Sequence, residues 1–172
     1  MNALAARLRR AAQWWKLRRC EEVGRGVRAL GRIWIHGGGA IRLADGVLLD
    51  GRVVPIELHA ARGAEILLGP GVRVDGGASL EAECSIVIGA RVHVGRWCKI
   101  LDNHFHRVGA RDERPESVPV IVEDDADLGP RAILLPGAHV GRAACIGPGA
   151  VLTRAVPEGS VVAGLPALVR RR

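Results

Sequence analysis

From residue 122 to residue 156 the chain repeats itself every six positions. Aliphatic side chains stand at Val122, Leu128, Leu134, Val140, Ile146 and Leu152. Four places after each comes a small or β-branched residue: Ala126, Ala132, Ala138, Ala144, Ala150 and Val156. A helix needs a period near 3.6 and a half-buried strand a period of 2, so neither fits. A chain wound as a triangular coil does fit, with one short flat strand and one corner per unit and three units to a turn. The aliphatic residue then fills the interior and the small residue packs near the corner. The glycine after the aliphatic, at Gly129, Gly141 and Gly147, is expected to give the backbone its freedom at the turn.

Upstream the same step continues less cleanly. Leu68, Val74 and Leu80 keep it, with Val72, Ala78 and Cys84 at the fourth place. After a two-residue shift Ile88, Val94 and Ile100 follow, with Val92 and Cys98. Residues 33 to 64 alternate apolar and polar at looser spacing and read as further coils. The repeat breaks in HRVGARDERPESVP, a polar stretch with Pro115 and Pro119, which predicts a loop over 107–119 thrown out of the solenoid. Such loops often carry function.

Residues 1–32 form a different unit. Leu4, Leu8, Ala11 and Trp15 follow helical spacing among Arg7, Arg9, Arg10, Lys16, Arg18 and Arg19, which predicts a basic amphipathic helix. Two roles suit it. It attaches to an anionic membrane surface or acidic partner with Trp14 and Trp15 at the interface, or it caps the first coil with Trp15 packed against it.

Composition sharpens this picture. Hydrophobic residues make up 48% of the chain but aromatics only 3%, as a narrow interior requires, and 23 Gly with 9 Pro supply the corners without suggesting disorder or collagen. The net charge of +7 lies wholly in residues 1–32, so no basic field covers the body and nucleic-acid binding is not expected. Cys20, Cys84, Cys98 and Cys145 form no C-x-x-C pair and read as reduced thiols. There is no apolar run of spanning length and no signal-peptide core. The expected location is cytoplasmic, at the inner face of the membrane if the arm meets lipid.

The stretch from Val120 to Arg171, VIVEDDADLGPRAILLPGAHVGRAACIGPGAVLTRAVPEGSVVAGLPALVRR, resembles the hexapeptide-repeat acyltransferases. It is most similar to the branch of maltose, galactoside and surface-polysaccharide O-acetyltransferases. The resemblance implies an all-β fold, a left-handed parallel β-helix, a homotrimer, acetyl-coenzyme A as donor, and active sites in clefts between subunits. The family's D-x-D-F-H before its loop matches Asp102, Asn103, His104, Phe105 and His106, which assigns the general base to His106.

The chemistry agrees, since attack by a hydroxyl on a thioester needs a proton acceptor near neutral pH and no enzyme nucleophile. If 102–106 is extended, Asp102, His104 and His106 share a face, and Asp102 or His104 orients the base. His104 stands where the family has Asp and is the rival for the role. The resemblance gives coenzyme binding to Pro130, Pro148, Thr153, Arg154 and Arg171, with Arg154 at a common Lys position. Leu168 replaces a frequent basic residue and Asp127 a frequent Trp. Thr153 and Arg154 also read simply as a solvated corner. Asp75 and Glu83 match sugar-contacting positions, or are solvated acids.

These features lead to an acetyl-coenzyme A dependent O-acetyltransferase acting on a sugar or surface-polysaccharide precursor, with no metal. A γ-type carbonic anhydrase would need three zinc-binding His across an interface, and the spacing of His36, His59, His93, His104, His106 and His139 does not resemble that set. A silent β-helix scaffold is the other alternative. The His36-Gly-Gly-Gly39 run resembles a lipase oxyanion loop, but with no G-x-S-x-G its glycines read as turn residues.

Overall fold

The six-residue spacing closes into a prism with three flat faces. The structure, a computed structural model, describes residues 15–104, 116–164 and 168–170. The first coil holds β1 (Glu22–Val23) and β2 (Arg28–Gly37), and the second β3 (Ala40–Leu43) and the long β4 (Leu48–Ala60). The third holds β5 (Glu65–Leu68), β6 (Arg73–Asp75) and β7 (Ser79–Ala82), the fourth β8 (Ser85–Ile88), β9 (His93–Val94) and β10 (Lys99–Leu101). The fifth holds β11 (Val120–Val122), β12 (Asp127–Leu128) and β13 (Ile133–Leu134), the sixth β14 (His139–Val140), β15 (Cys145–Ile146) and β16 (Val151–Leu152). Strands β17 (Val161–Ala163) and β18 (Leu168–Arg170) follow.

Face one stacks β1, β3, β5, β8, β11 and β14. Face two runs through the first halves of β2 and β4 to β6, β9, β12, β15 and β17, and face three through their second halves to β7, β10, β13 and β16. The pairs are parallel, except that β18 lies antiparallel on β17. With about six turns the solenoid is a left-handed β-helix.

The aliphatic positions of the repeat are all interior: Val122, Leu128, Leu134, Val140, Ile146 and Leu152 are at most 3% exposed, as are their upstream counterparts. The alanines at the fourth place are buried with them, and no aromatic residue joins the described core. Each buried aliphatic contributes about 1.5–3 kcal/mol, so the coil is held by many equal small terms.

The glycine after the aliphatic works differently from the expectation. The left-handed backbone comes two residues later, at Arg91, Trp97, Asp125, Arg131 and Ala143 (φ 51–63°) and at Gly71, Gly77, Gly137 and Gly149. At Gly129 the need is close approach, because a Cβ would stand 2.6 Å from the Ile146 carbonyl oxygen of the next coil. Gly129→Ala should therefore cost about 1–3 kcal/mol by forcing two coils apart. A denaturant midpoint equal to that of the native protein would refute this.

At the N-terminal end, residues 15–17 form one helical turn. Leu17, not Trp15, enters the core, and Trp15 stays 64% exposed with the Arg18 guanidinium 4.2 Å above its ring. The strands start at Glu22, so the first coil takes in part of the stretch that the sequence assigns to the 1–32 arm. Residues 1–14 of that arm lie outside the described residues.

One interruption breaks the stacking. Val122 pairs with Val140, 18 residues on, whereas Ile88 pairs with Val122, 34 residues on. The extra length leaves the prism after β10, where the loop was expected. Of that loop, residues 107–115 are outside the described part.

Candidate active site at the third edge

Three columns of corners run along the prism. The third edge, between faces three and one, is where the loop leaves. Its foot is tied by residues immediately after β10. Asp102 is fully buried, and its carboxylate accepts backbone N–H bonds from Glu83 (2.7 Å), Cys84 (2.7 Å) and Ser85 (2.6 Å). Its own carbonyl accepts from Val118 N–H at 2.9 Å, and the buried Asn103 amide donates to Ser117 Oγ at 2.7 Å. Asp102 thus ties the start of the excursion to the coil beneath, and the returning residues 117 and 118 are tied to 103 and 102.

Among the described residues the Asp102 carboxylate meets these backbone N–H groups and no histidine. Regular strand ends at Leu101, so side-chain alternation does not carry through 102–104. Asp102 turns back into the preceding corner while His104 is exposed, and the two do not share a face. Asp102 positions the loop. His106 lies outside the described residues.

Glu83 belongs to the same corner, half-buried, with its backbone on Asp102. Further along this edge, strand register brings Leu80, Ile100, Leu134 and Leu152 into one stack, so the exposed Thr153 and Arg154 occupy the corner column of Glu83 and Asp102. Arg154 has no ion pair among the described residues. On the other side of Glu83, a groove of about 650 Å³ continues the edge past Cys84, Glu65, Gly63, Gly39 and Cys20. Burial first, then the Asp102 and Glu65 carboxylates, pushes the Cys84 thiol up, so it is a poor nucleophile near neutral pH.

The remaining candidates sit elsewhere. Asp75, Pro130 and Pro148 lie on the second edge, between faces two and three, where Gly149 N–H bonds to the Pro130 carbonyl at 2.9 Å. Asp75 accepts from Arg73 Nε at 2.9 Å and is 3.1 Å from His93 Nε2, while His93 Nδ1 is 2.8 Å from Asp127. Asp127 is therefore half of a carboxylate pair bracketing an imidazole. Asp75 also borders a cleft of about 280 Å³ with Asp50, Arg52, Arg73, Arg96 and Trp97. Hydrogen bonds from Arg52 hold the Asp50 carboxyl down at about 2. Arg171 lies outside the described residues, and Leu168 is exposed on β18.

Sequence reasoning missed Asn103 and Ser117 as clamps, and Arg96 and Trp97 as neighbours of Asp75. Asn103 carried a usable signal, being a polar residue directly behind an interior strand. Elsewhere His36 stacks on His59 with 4.7 Å between ring centroids and meets Glu57 at 2.8 Å, and His139 meets Glu123 at 2.7 Å. Among the described residues no three His, Cys, Asp or Glu side chains converge as a metal site would require.

No protein-family model matches the chain. A stretch of 57 residues is 49% identical to 2,3,4,5-tetrahydropyridine-2,6-dicarboxylate N-acetyltransferase of Staphylococcus aureus, covering 33% of this chain and 24% of that enzyme. The match thus spans about a quarter of the length of the curated relative. Among solved structures, a hexapeptide-repeat acetyltransferase of Vibrio cholerae superposes with TM-score 0.69 at 16% identity over 98% of this chain and 88% of its own. The same Vibrio protein with acetyl-coenzyme A gives 0.67 at 18% identity, over 97% and 84%. A polysialic acid O-acetyltransferase gives 0.63 at 18% identity, over 88% and 87%. In repeat and in fold this chain is a hexapeptide-repeat β-helix of the kind those acetyltransferases share.

Proposed function

We propose that this chain transfers an acetyl group from acetyl-coenzyme A to a hydroxyl of a sugar or surface-polysaccharide precursor. The observation that carries the reading is the third edge. One loop breaks a regular coil there, its foot is clamped by Asp102, Asn103 and Ser117, and its root carries His104 and leads to His106. The acetyl-coenzyme A complex of the Vibrio protein supports the donor, and the polysialic acid enzyme supports a glycan acceptor.

In this reading neutral His106 takes the hydroxyl proton as oxygen attacks the thioester carbonyl. A C–O bond forms, the C–S bond breaks, and the imidazolium returns its proton to the departing thiolate. His104 assists or shares the role. Thr153 and Arg154 face the coenzyme from the third edge, with Arg171 adding a second cation for its phosphates.

Pro130, Pro148 and Asp75 lie an edge away, so one copy supplies only part of the site. In a homotrimer the second edge of one protomer stands against the third edge of its neighbour, which unites Pro130, Pro148 and Asp75 with Glu83, Arg154 and His106. Carboxylates such as Asp75 and Glu83 suit sugar hydroxyls as charge-assisted partners.

The test is thiol release from acetyl-coenzyme A with a panel of sugars, nucleotide sugars and amino sugars. Turnover with a hydroxyl acceptor is expected. Acetylation confined to amines would overturn the O-transfer reading. No coenzyme binding and no turnover would leave a scaffold. Arg154→Ala should raise KM for acetyl-coenzyme A about 3- to 10-fold with kcat little changed, as removal of one exposed charge-assisted contact does. An unchanged KM would return Arg154 to the role of a solvated corner residue.

A further inference from the structure

The end of the prism nearest residue 15 presents a surface that holds none of the residues assigned above to acetyl transfer. Trp15 is 64% exposed and Trp34, on β2, is 53% exposed. The two indoles line one hollow of about 330 Å³ together with Lys16, Arg18, Arg19 and Ile33. Leu17 alone of the described helical turn enters the core, so Trp15 is not held outward by lack of a capping residue. Its ring carries the Arg18 guanidinium at 4.2 Å. Lys16 and Arg19 each donate to a backbone carbonyl, of Ala29 at 3.3 Å and Ile35 at 3.2 Å. Carbonyls fix these side chains without neutralising them, and none of the three cations has a carboxylate partner among the described residues. His36, which also lines the hollow, is paired with Glu57 at 2.8 Å.

Amphipathic indoles beside unneutralised cations are the combination that suits a phospholipid headgroup layer. The rings settle at the polar–apolar boundary and the cations meet lipid phosphates. The Lys and Arg side chains that line the hollow, Lys16, Arg18 and Arg19, are joined there by no acidic side chain among the described residues. Their shared positive charge disfavours pairing of the patch with the same patch on a second copy. We propose that this face seats the protein on an anionic lipid surface.

The test is sedimentation of the full chain with vesicles of phosphatidylcholine, with and without phosphatidylglycerol. Binding only to the anionic vesicles is expected, weakened by salt and accompanied by a blue shift of indole emission. Trp15→Ala with Trp34→Ala should reduce binding tenfold or more. Arg18→Gln and Arg19→Gln should each reduce it about five-fold. All four positions are at the surface, and unchanged circular dichroism would show the variants folded. Equal binding to neutral vesicles, no binding, or variants that bind like the native protein would overturn the proposal. So would loss of the native oligomeric state in the double tryptophan variant, which would make the patch a subunit contact. None of these outcomes depends on acetyl transfer.

Discussion

His106→Ala should lower the rate of acetyl transfer by about 10²- to 10⁴-fold with KM for acetyl-coenzyme A nearly unchanged. A hydroxyl is a weak nucleophile until its proton leaves, so losing the base slows the chemical step while donor binding persists. His104→Ala is the necessary comparison. His104 is exposed just outside the clamp formed by Asp102 and Asn103, two residues before His106. If it only assists, its removal should cost far less than that of His106. A larger loss at position 104 would exchange the two roles. A raised KM with intact kcat in His106→Ala would make that residue a coenzyme contact instead. Thiol release measured for both variants at saturating acceptor separates these cases.

Asp102→Ala should destabilise the protein by about 3–5 kcal/mol, the range for breaking a buried charged network. The carboxylate is fully buried, and three backbone N–H groups from 83 to 85 converge on it within 2.7 Å. Truncation leaves three donors without an acceptor in a dry corner. For a chain of this size the loss corresponds to a fall in melting temperature of about 10 °C. Asp102→Asn keeps the shape but turns an amide NH₂ toward backbone donors, and should fall between native and alanine proteins. A melting curve for Asp102→Ala that overlays the native one would refute the clamp. Activity should fall with stability, because the residue that fixes Glu83 to Ser85 also fixes the loop root.

How much of this was legible in the sequence depends on whether a residue's role is local. The interior was readable because each unit repeats the same bargain, an aliphatic inward and an alanine behind it. Val122 to Leu152 are buried in the register that the spacing predicts. The first coils were blurred because β4 is one 13-residue strand serving two faces, with a register shift opposite Gly31. The division of the site residues between two edges was already in the spacing: with 18 residues to a turn, Asp75 and Glu83, 8 apart, and Pro130 and Thr153, 23 apart, fall on different edges. Strand alternation stops at Leu101, so the spacing of 102–104 does not tell which face their side chains take.

The antiparallel strand β18 has a consequence for how the molecule behaves in a crowded solution. A stack of parallel strands is open at its ends, and each open end offers unpaired N–H and C=O groups to another chain. By running against β17 in the opposite sense, β18 occupies those groups with a direction that the parallel ladder cannot continue. The face-two ladder therefore ends on a strand of opposite sense, and a parallel coil from a second molecule finds no matching edge there.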